Sequence, residues 1–187
     1  AALQFDPASR DLSLFNIFVQ DTIALGSATT LVLGAKLENG PFTGAEILPN
    51  ARLSWTPTPE ATFWGAVSRA VRAPTPFDTD VVENLGGVRF LVGDREFRSE
   101  TLTAYEMGAK LQPSSRSTLS ISAFYNAYDD LRSIEIAPGG FLPLRWGNRI
   151  EGHTYGAEAW GAYQVTDGWR LSGAVSYLDQ DFECQPG

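Results

Sequence analysis

Two stretches decide the fold: Ala61-Thr-Phe-Trp-Gly-Ala-Val-Ser-Arg-Ala-Val-Arg-Ala-Pro74 and Glu100-Thr-Leu-Thr-Ala-Tyr-Glu-Met-Gly-Ala-Lys110. In both, odd-numbered residues are mostly apolar and even-numbered ones mostly polar or small. A helix cannot sort its faces at period two, whereas a pleated strand must. Between them lie residues 75–99, rich in Gly, Asp, Glu and Asn.

The same unit repeats in both directions. Upstream, residues 14–25, 30–37 and 50–56 alternate in this way. Downstream, residues 118–134, 149–165 and 169–179 do so. With 61–74 and 100–110 they predict eight antiparallel strands. Their connections alternate in length. Residues 26–27, 57–60, 113–116 and 166–168 are short turns, while 38–48, 75–99 and 135–147 read as long loops. That is an up-and-down meander with one plain rim and one elaborated rim. The strands run to about 10 residues or more, beyond the usual ~5–6 of soluble sheets. The even face carries Ser, Thr, Asn, Glu, Arg and Gly. An apolar exterior, a polar lumen and unequal rims describe a transmembrane β-barrel.

Aromatic residues fit that reading. Trp55, Phe63, Tyr163 and Trp169 lie close to short turns, and Tyr155 and Tyr177 lie eight residues further along their strands. At ~3.3 Å per residue and a tilt near 40° that separation spans roughly 20 Å, close to the height of an apolar belt between two girdles.

Composition narrows the field. The 187 residues suit one domain, and 43% are hydrophobic, which excludes a disordered tail. Charged residues are 19%, below the ~25% of soluble domains. A net charge of −8 argues against a nucleic-acid surface. Cys184 is the only cysteine and His153 the only histidine, so disulfides and His- or Cys-based metal motifs are not expected. No apolar run approaches the ~18 residues of a membrane helix. Residues 1–10 lack the apolar centre of a signal peptide. The chain reads as a piece of a longer protein.

Four motifs in order resemble the β-barrel of TonB-dependent outer-membrane receptors. Ser68-Arg-Ala-Val-Arg-Ala-Pro-Thr75 is similar to that family's Ser-x-Gly-aromatic-Arg-x-Pro-Ser/Thr strand end, with Ala70 and Val71 as departures. Tyr105-Glu-Met-Gly-Ala-Lys110 matches Tyr-Glu-apolar-Gly-x-Lys, with Glu100 upstream and Ser99 where Pro is common. Phe124-Tyr125 with Tyr128 and Asp129-Asp130 resembles the next strand, and Gly156-Ala-Glu158 the Gly-x-Glu of the one after. The resemblance covers residues 14–179. It implies all-β wall from the middle-to-late part of a barrel of about 22 strands in a Gram-negative outer membrane. It places the plug, the TonB box and the last strands outside this chain.

The resemblance further implies binding and uptake of a scarce large solute: a ferric siderophore, cobalamin or an oligosaccharide. The implied partners are the TonB system, acting through the plug, and outer-membrane lipid. No cofactor is expected, and no Ser/His/Asp set, GxGxxG or P-loop suggests an enzyme. A passive porin or a soluble all-β binding module are the competing readings.

Five charged residues share the even, lumen-facing parity: Arg72, Glu100, Glu106, Lys110 and Glu158. They read as a polar wall along a transport path or as a ladder of ion pairs. Arg69 has lipid-facing parity and is expected to snorkel to the interface, with Asp21 a matching case. Asp78, Asp80, Glu83, Asp94 and Glu96 fit no Ca²⁺-loop pattern and read as solvated loop acids. His153 reads as an isolated interfacial histidine and Cys184 as an inert or loop thiol. Asp129 and Asp130, as neighbours on a strand, are expected on opposite faces.

Overall fold

The computed structural model describes residues 2–186. In chain order its elements are β1 (Ala2–Phe5), β2 (Phe15–Ala24), β3 (Thr29–Gly40), β4 (Gly44–Thr58), β5 (Ala61–Arg72), α1 (Pro76–Thr79), β6 (Val81–Leu85), β7 (Val88–Val92), β8 (Glu100–Ser114), β9 (Ser117–Ile136), β10 (Leu144–Thr166) and β11 (Trp169–Cys184). All eight expected strands are present. They form a continuous antiparallel wall in the order β2-β3-β4-β5-β8-β9-β10-β11. No helix among the described residues is long and apolar enough to cross a membrane.

The two faces divide by parity. Leu33, Leu53, Tyr105 and Leu171, all odd, are 43%, 46%, 51% and 59% exposed on the outer face. Even-numbered residues of five strands, among them Trp64, Glu106, Asn126, Glu158 and Gln180, converge on one hollow of about 430 Å³, on the concave side of a curled half-barrel. A soluble sandwich would cover the odd face with a second sheet. Among the described residues there is one sheet, and backbone pairing satisfies the main chain as hydrocarbon requires.

The long-connection rim departs from expectation. Residues 38–48 are not a loop: β3 and β4 continue to Gly40 and from Gly44, leaving only residues 41–43 as the turn. Pro49, a natural breaker, is tolerated because the β4–β5 ladder ends at Asn50↔Ser68. Beyond that pair β4 has a neighbour on one side only, the edge condition that accepts proline. Residues 135–147 likewise shrink to a connection of 137–143. Residues 75–99 fold into α1 and the β6–β7 hairpin. That hairpin pairs with β1 on one side and, in parallel, with the start of β10 on the other. Here lies the conventional core: Val81, Leu91, Phe97 and Trp146 are buried together, with Phe90 and Leu144 against them.

Strands β9 and β10 are not uniformly pleated. Asp130 has φ 58°, and the β9–β10 register shifts between Gly147 and Ile150 and again between Ile150 and Gly152. Apolar residues are odd below this point (Ile121, Ala123, Tyr125) and even above it (Ile134, Ile136, Leu144, Trp146). Asp129 and Asp130 both border a hollow at this point, and Asp130 pairs with Arg98.

Candidate functional site

Arg72 ends β5 and Glu100 begins β8, and the two are register partners. Their side chains form a fork: Nε donates to Glu100 Oε2 at 2.6 Å and Nη2 to Oε1 at 2.7 Å. The backbone N–H of Arg132 donates to the same Oε1 at 2.8 Å.

Asp78 sits at the centre, its side chain fully buried. Thr75-Pro-Phe-Asp78 carries a helix-start signature: Thr at the N-cap, Pro at the first helical position, and an acid three residues after the cap. The Thr75 N–H and Oγ1 donate to Asp78 Oδ2 at 2.9 and 2.8 Å. Arg72 Nη1 reaches the same oxygen at 3.0 Å, and Arg132 Nη1 reaches Oδ1 at 3.2 Å. Burial alone would raise this carboxyl's pKa, but the donations from Arg72 and Thr75 outweigh it and hold the group below the ordinary value. Aromatic faces complete the cluster. Arg132 lies 4.7 Å from the Trp146 ring centroid, Arg72 5.7 Å from that of Phe97, and Phe77 packs on Trp146 at 5.6 Å.

A second set adjoins it. Glu135 pairs with Arg145 at 3.4 Å and Arg149 at 3.3 Å, and Asp94 pairs with Arg145 at 3.3 Å. Arg72, Arg132, Arg145 and Arg149 are thus matched by Asp78, Glu100, Glu135 and Asp94. The assembly is electrically balanced. It braces the 75–99 segment against the wall.

Of the five lumen-facing candidates, the structure joins two, Arg72 and Glu100. Glu106 and Glu158 meet on the concave hollow without touching, and Lys110 lies exposed on β8. Among the described residues none of these three makes an ion pair, so the ladder of pairs stops at the rim. Asp78 and Asp80 overturn the expectation of solvated loop acids. Asp80 is 4% exposed and pairs with Arg10 at 3.0 Å. Arg69 is held against β4, bonding Glu46 at 3.3 Å and the Ile47 carbonyl at 2.8 Å. His153 is not isolated, being stacked between Tyr125 and Tyr155 at 5.4 and 6.1 Å. Cys184 is an exposed thiol ending β11.

The motif glycines have a packing reason. A Cβ on Gly108 would come 2.7 Å from the Ile121 carbonyl and 2.8 Å from the Trp64 ring. On Gly156 it would come 2.3 Å from the Tyr177 carbonyl and 2.6 Å from the Phe124 ring. Each glycine seats an aromatic ring of the neighbouring strand on the concave face. Sequence reasoning missed Arg132, Trp146, Phe97 and the role of Asp78. The capping signature at residues 75–78 could have marked Asp78. Nothing local marks the others, which arrive from β9, β10 and the far end of the loop. No group of three or more His, Cys, Asp or Glu suited to a metal ion exists among the described residues.

Comparison with known proteins agrees with this architecture. The family described as "TonB dependent receptor-like, beta-barrel" matches residues 3–185. The iron-regulated outer membrane virulence protein of Vibrio cholerae is 28% identical over 179 residues, covering 88% of this chain and 27% of its own length. The chain therefore spans about a quarter of that relative. Among solved structures, the siderophore receptor PirA of Pseudomonas aeruginosa superposes with a TM-score of 0.79 at 19% identity, over 90% of this chain and 34% of its own. The ferric enterobactin receptor PfeA of the same organism, solved with enterobactin, gives 0.77 at 19% identity over 90% and 27%. The FrpB iron transporter of Neisseria meningitidis gives 0.71 at 16% identity over 95% and 28%. With a parity-sorted wall, one plain and one elaborated rim, and a family match along nearly its whole length, the chain belongs to the TonB-dependent receptor β-barrel family of the outer membrane.

Proposed function

We propose that this wall serves a receptor that takes up a ferric siderophore, driven by TonB acting on a plug inside the barrel. The observation that carries the iron reading is the agreement of two likenesses. The sequence relative is iron-regulated, and the fold neighbours are siderophore receptors and an iron transporter. Within that reading the chain's residues have distinct parts. The Arg72–Asp78–Glu100–Arg132 cluster holds the 75–99 segment fixed over the lumen, so that a ligand meets a formed surface. Glu106, Lys110 and Glu158 keep the concave wall polar and wet, so that plug or solute can slide past without adhering. The mechanism is capture and passage, with no bond made or broken by this wall.

The test is uptake of radiolabelled ferric siderophore by iron-starved cells carrying the full-length receptor, with TonB present or deleted. Uptake that disappears without TonB supports the proposal. Uptake that persists, as through a passive pore, overturns it. Competition with cobalamin and oligosaccharides checks the ligand class, and displacement by either rejects iron.

A further inference from the structure

Every strand except β11 belongs to one hydrogen-bonded path, which begins at β1 and ends at β2. Residues 6–14 join those two ends covalently. At ~3.5 Å per residue this strap reaches at most about 35 Å. Path and strap therefore make a closed circuit. Its arc is the wall from β2 to β10, and its return limb is β7, β6, β1 and the strap. The limb passes on the concave side, where Arg72 bonds Asp78. At the β10 end it is fixed by strand pairing and by the apolar core around Trp146. At the other end, among the described residues, no strand pairing ties β1, β6 or β7 to β2, β3 or β4. The strap closes the circuit there, and it has no helix or strand of its own.

What holds the strap is concentrated at Asp80. The Asp80 N–H donates to the Pro76 carbonyl at 2.8 Å, closing α1. Its carbonyl accepts from the Asp6 N–H at 2.8 Å. Its carboxylate accepts from Arg10 Nη2 at 3.0 Å, across 70 residues of sequence. The Asp80 side chain is 1% exposed and, among the described residues, Arg10 is its only side-chain partner. A carboxylate so far from water is costly unless a cation is bonded to it. Arg10 in turn lies over the Phe42 ring, 5.2 Å from its centroid, at the turn between β3 and β4. One guanidinium thus joins three connections that are distant in sequence: its own strap, the 75–99 segment and the 41–43 turn. Strand β1 adds little by itself, since its residues are exposed and β6 is its one neighbour.

We infer that Arg10 is a clasp on this circuit. While it holds Asp80 and Phe42, the strap, the 75–99 segment and the β3–β4 turn form one cover on the concave side. When it lets go, β1 peels from β6 and the circuit parts at the strap. The strap, β6 and the β3–β4 turn then loosen in the same event. The cover is hinged at β10 and fastened at Arg10.

Hydrogen exchange of the full-length receptor in nanodiscs, with no solute present, tests the clasp. Its outcome therefore stands apart from that of the uptake test. Arg10→Ala should speed exchange across the β1–β6 pairs, residues 2–5 and 81–85, by about tenfold or more, the worth of a hydrogen bond to a charged group. Phe42→Ala is the discriminating variant, since Phe42 sits on a different hairpin. It should speed the same pairs about threefold, the worth of an exposed cation–π contact. Exchange in the double variant should be no faster than in Arg10→Ala, because both changes release one clasp. Arg10→Lys, which keeps a cation for Asp80, should recover most of what Arg10→Ala loses. The β8–β9 ladder should exchange as in the wild type throughout. An Arg10→Ala change within about twofold of wild type overturns the clasp. So does an Arg10→Lys variant that exchanges as fast as Arg10→Ala, or a Phe42→Ala effect that is confined to residues 41–43 or persists in the double variant. Acceleration that includes the β8–β9 ladder also overturns it, because the whole barrel has then loosened. Should Arg10→Ala fail to fold, the reach of the Phe42→Ala effect to residues 81–85 decides alone.

Discussion

Replacing Asp78 by alanine should open the 75–99 segment while leaving the wall intact. The carboxylate accepts from Arg72, Arg132 and twice from Thr75, at 2.8–3.2 Å. Removing one partner of a fully buried ion pair costs about 3–5 kcal/mol. The arginine side chains here are 40% and 41% exposed, so water recovers part of their solvation once Asp78 is gone. Arg72 also keeps its fork to Glu100. The cost of Asp78→Ala is then about 2 kcal/mol, and Asp78→Asn, which can still accept from Thr75, costs about 1 kcal/mol. The wall's ladders do not pass through Asp78, so the loss is local. Arg89 and Arg95 are exposed within the segment and are trypsin sites. Where opening and closing are fast, cleavage tracks the open population. Cleavage of the full-length receptor in bilayers should quicken about thirtyfold for Asp78→Ala and about fivefold for Asp78→Asn. The heat-dependent gel shift of the folded barrel should not change. Cleavage within about twofold of wild type, the scatter of a neutral surface change, would refute the reasoning. So would loss of the gel shift, because the segment would then not open by itself.

Three further outcomes follow from the same geometry. Asp78 has a lowered pKa in the folded state, so its stabilisation is complete above the ordinary value of 3.8 and is lost as the pH falls through the lower folded value. Hydrogen exchange over 75–99, corrected for the intrinsic rate, should be alike at about pH 6 and about pH 5 and should rise only below about pH 4. Gly156→Val sets a side chain against the Tyr177 carbonyl and the Phe124 ring, costing at least ~1–3 kcal/mol and lowering the heat-shifted folded fraction, whereas Gly65→Ala should assemble normally. Finally, residues 1–187 expressed alone leave the outer edges of β2 and β11 unpaired beside an apolar face. That polypeptide should self-associate or require detergent; a monomer in plain buffer by light scattering would contradict this.

The wall was legible because period-two patterning is a local property. Val67, Tyr105, Tyr125 and Tyr155 each announce their face from immediate neighbours, and the register merely lines them up. The rim was not legible, for two physical reasons. Polar composition around 38–48 and 75–99 suggests loops, yet strands above a membrane need no lipid-facing side and can be as polar as any surface hairpin. The brace is also assembled from distant segments. Arg132 and Asp78 are 54 residues apart, and only the crossing of the 75–99 segment brings them together. Arg72 and Glu100 were identified because both end strands whose pairing the pattern already implied. The nonpairing of Glu106, Lys110 and Glu158 could not be read from parity, which assigns a face but not a distance.

The irregularity at Asp130 carries its own consequence. The extra residue in β9 is answered by one in β10, so the two disturbances cancel and the hairpin resumes its former alignment above them. Membrane-embedded and surface-displayed portions of one hairpin thereby keep separate phases of hydrophobicity. Substitutions in the rim portion can therefore change its pattern without reversing which side chains of the lower portion face outward.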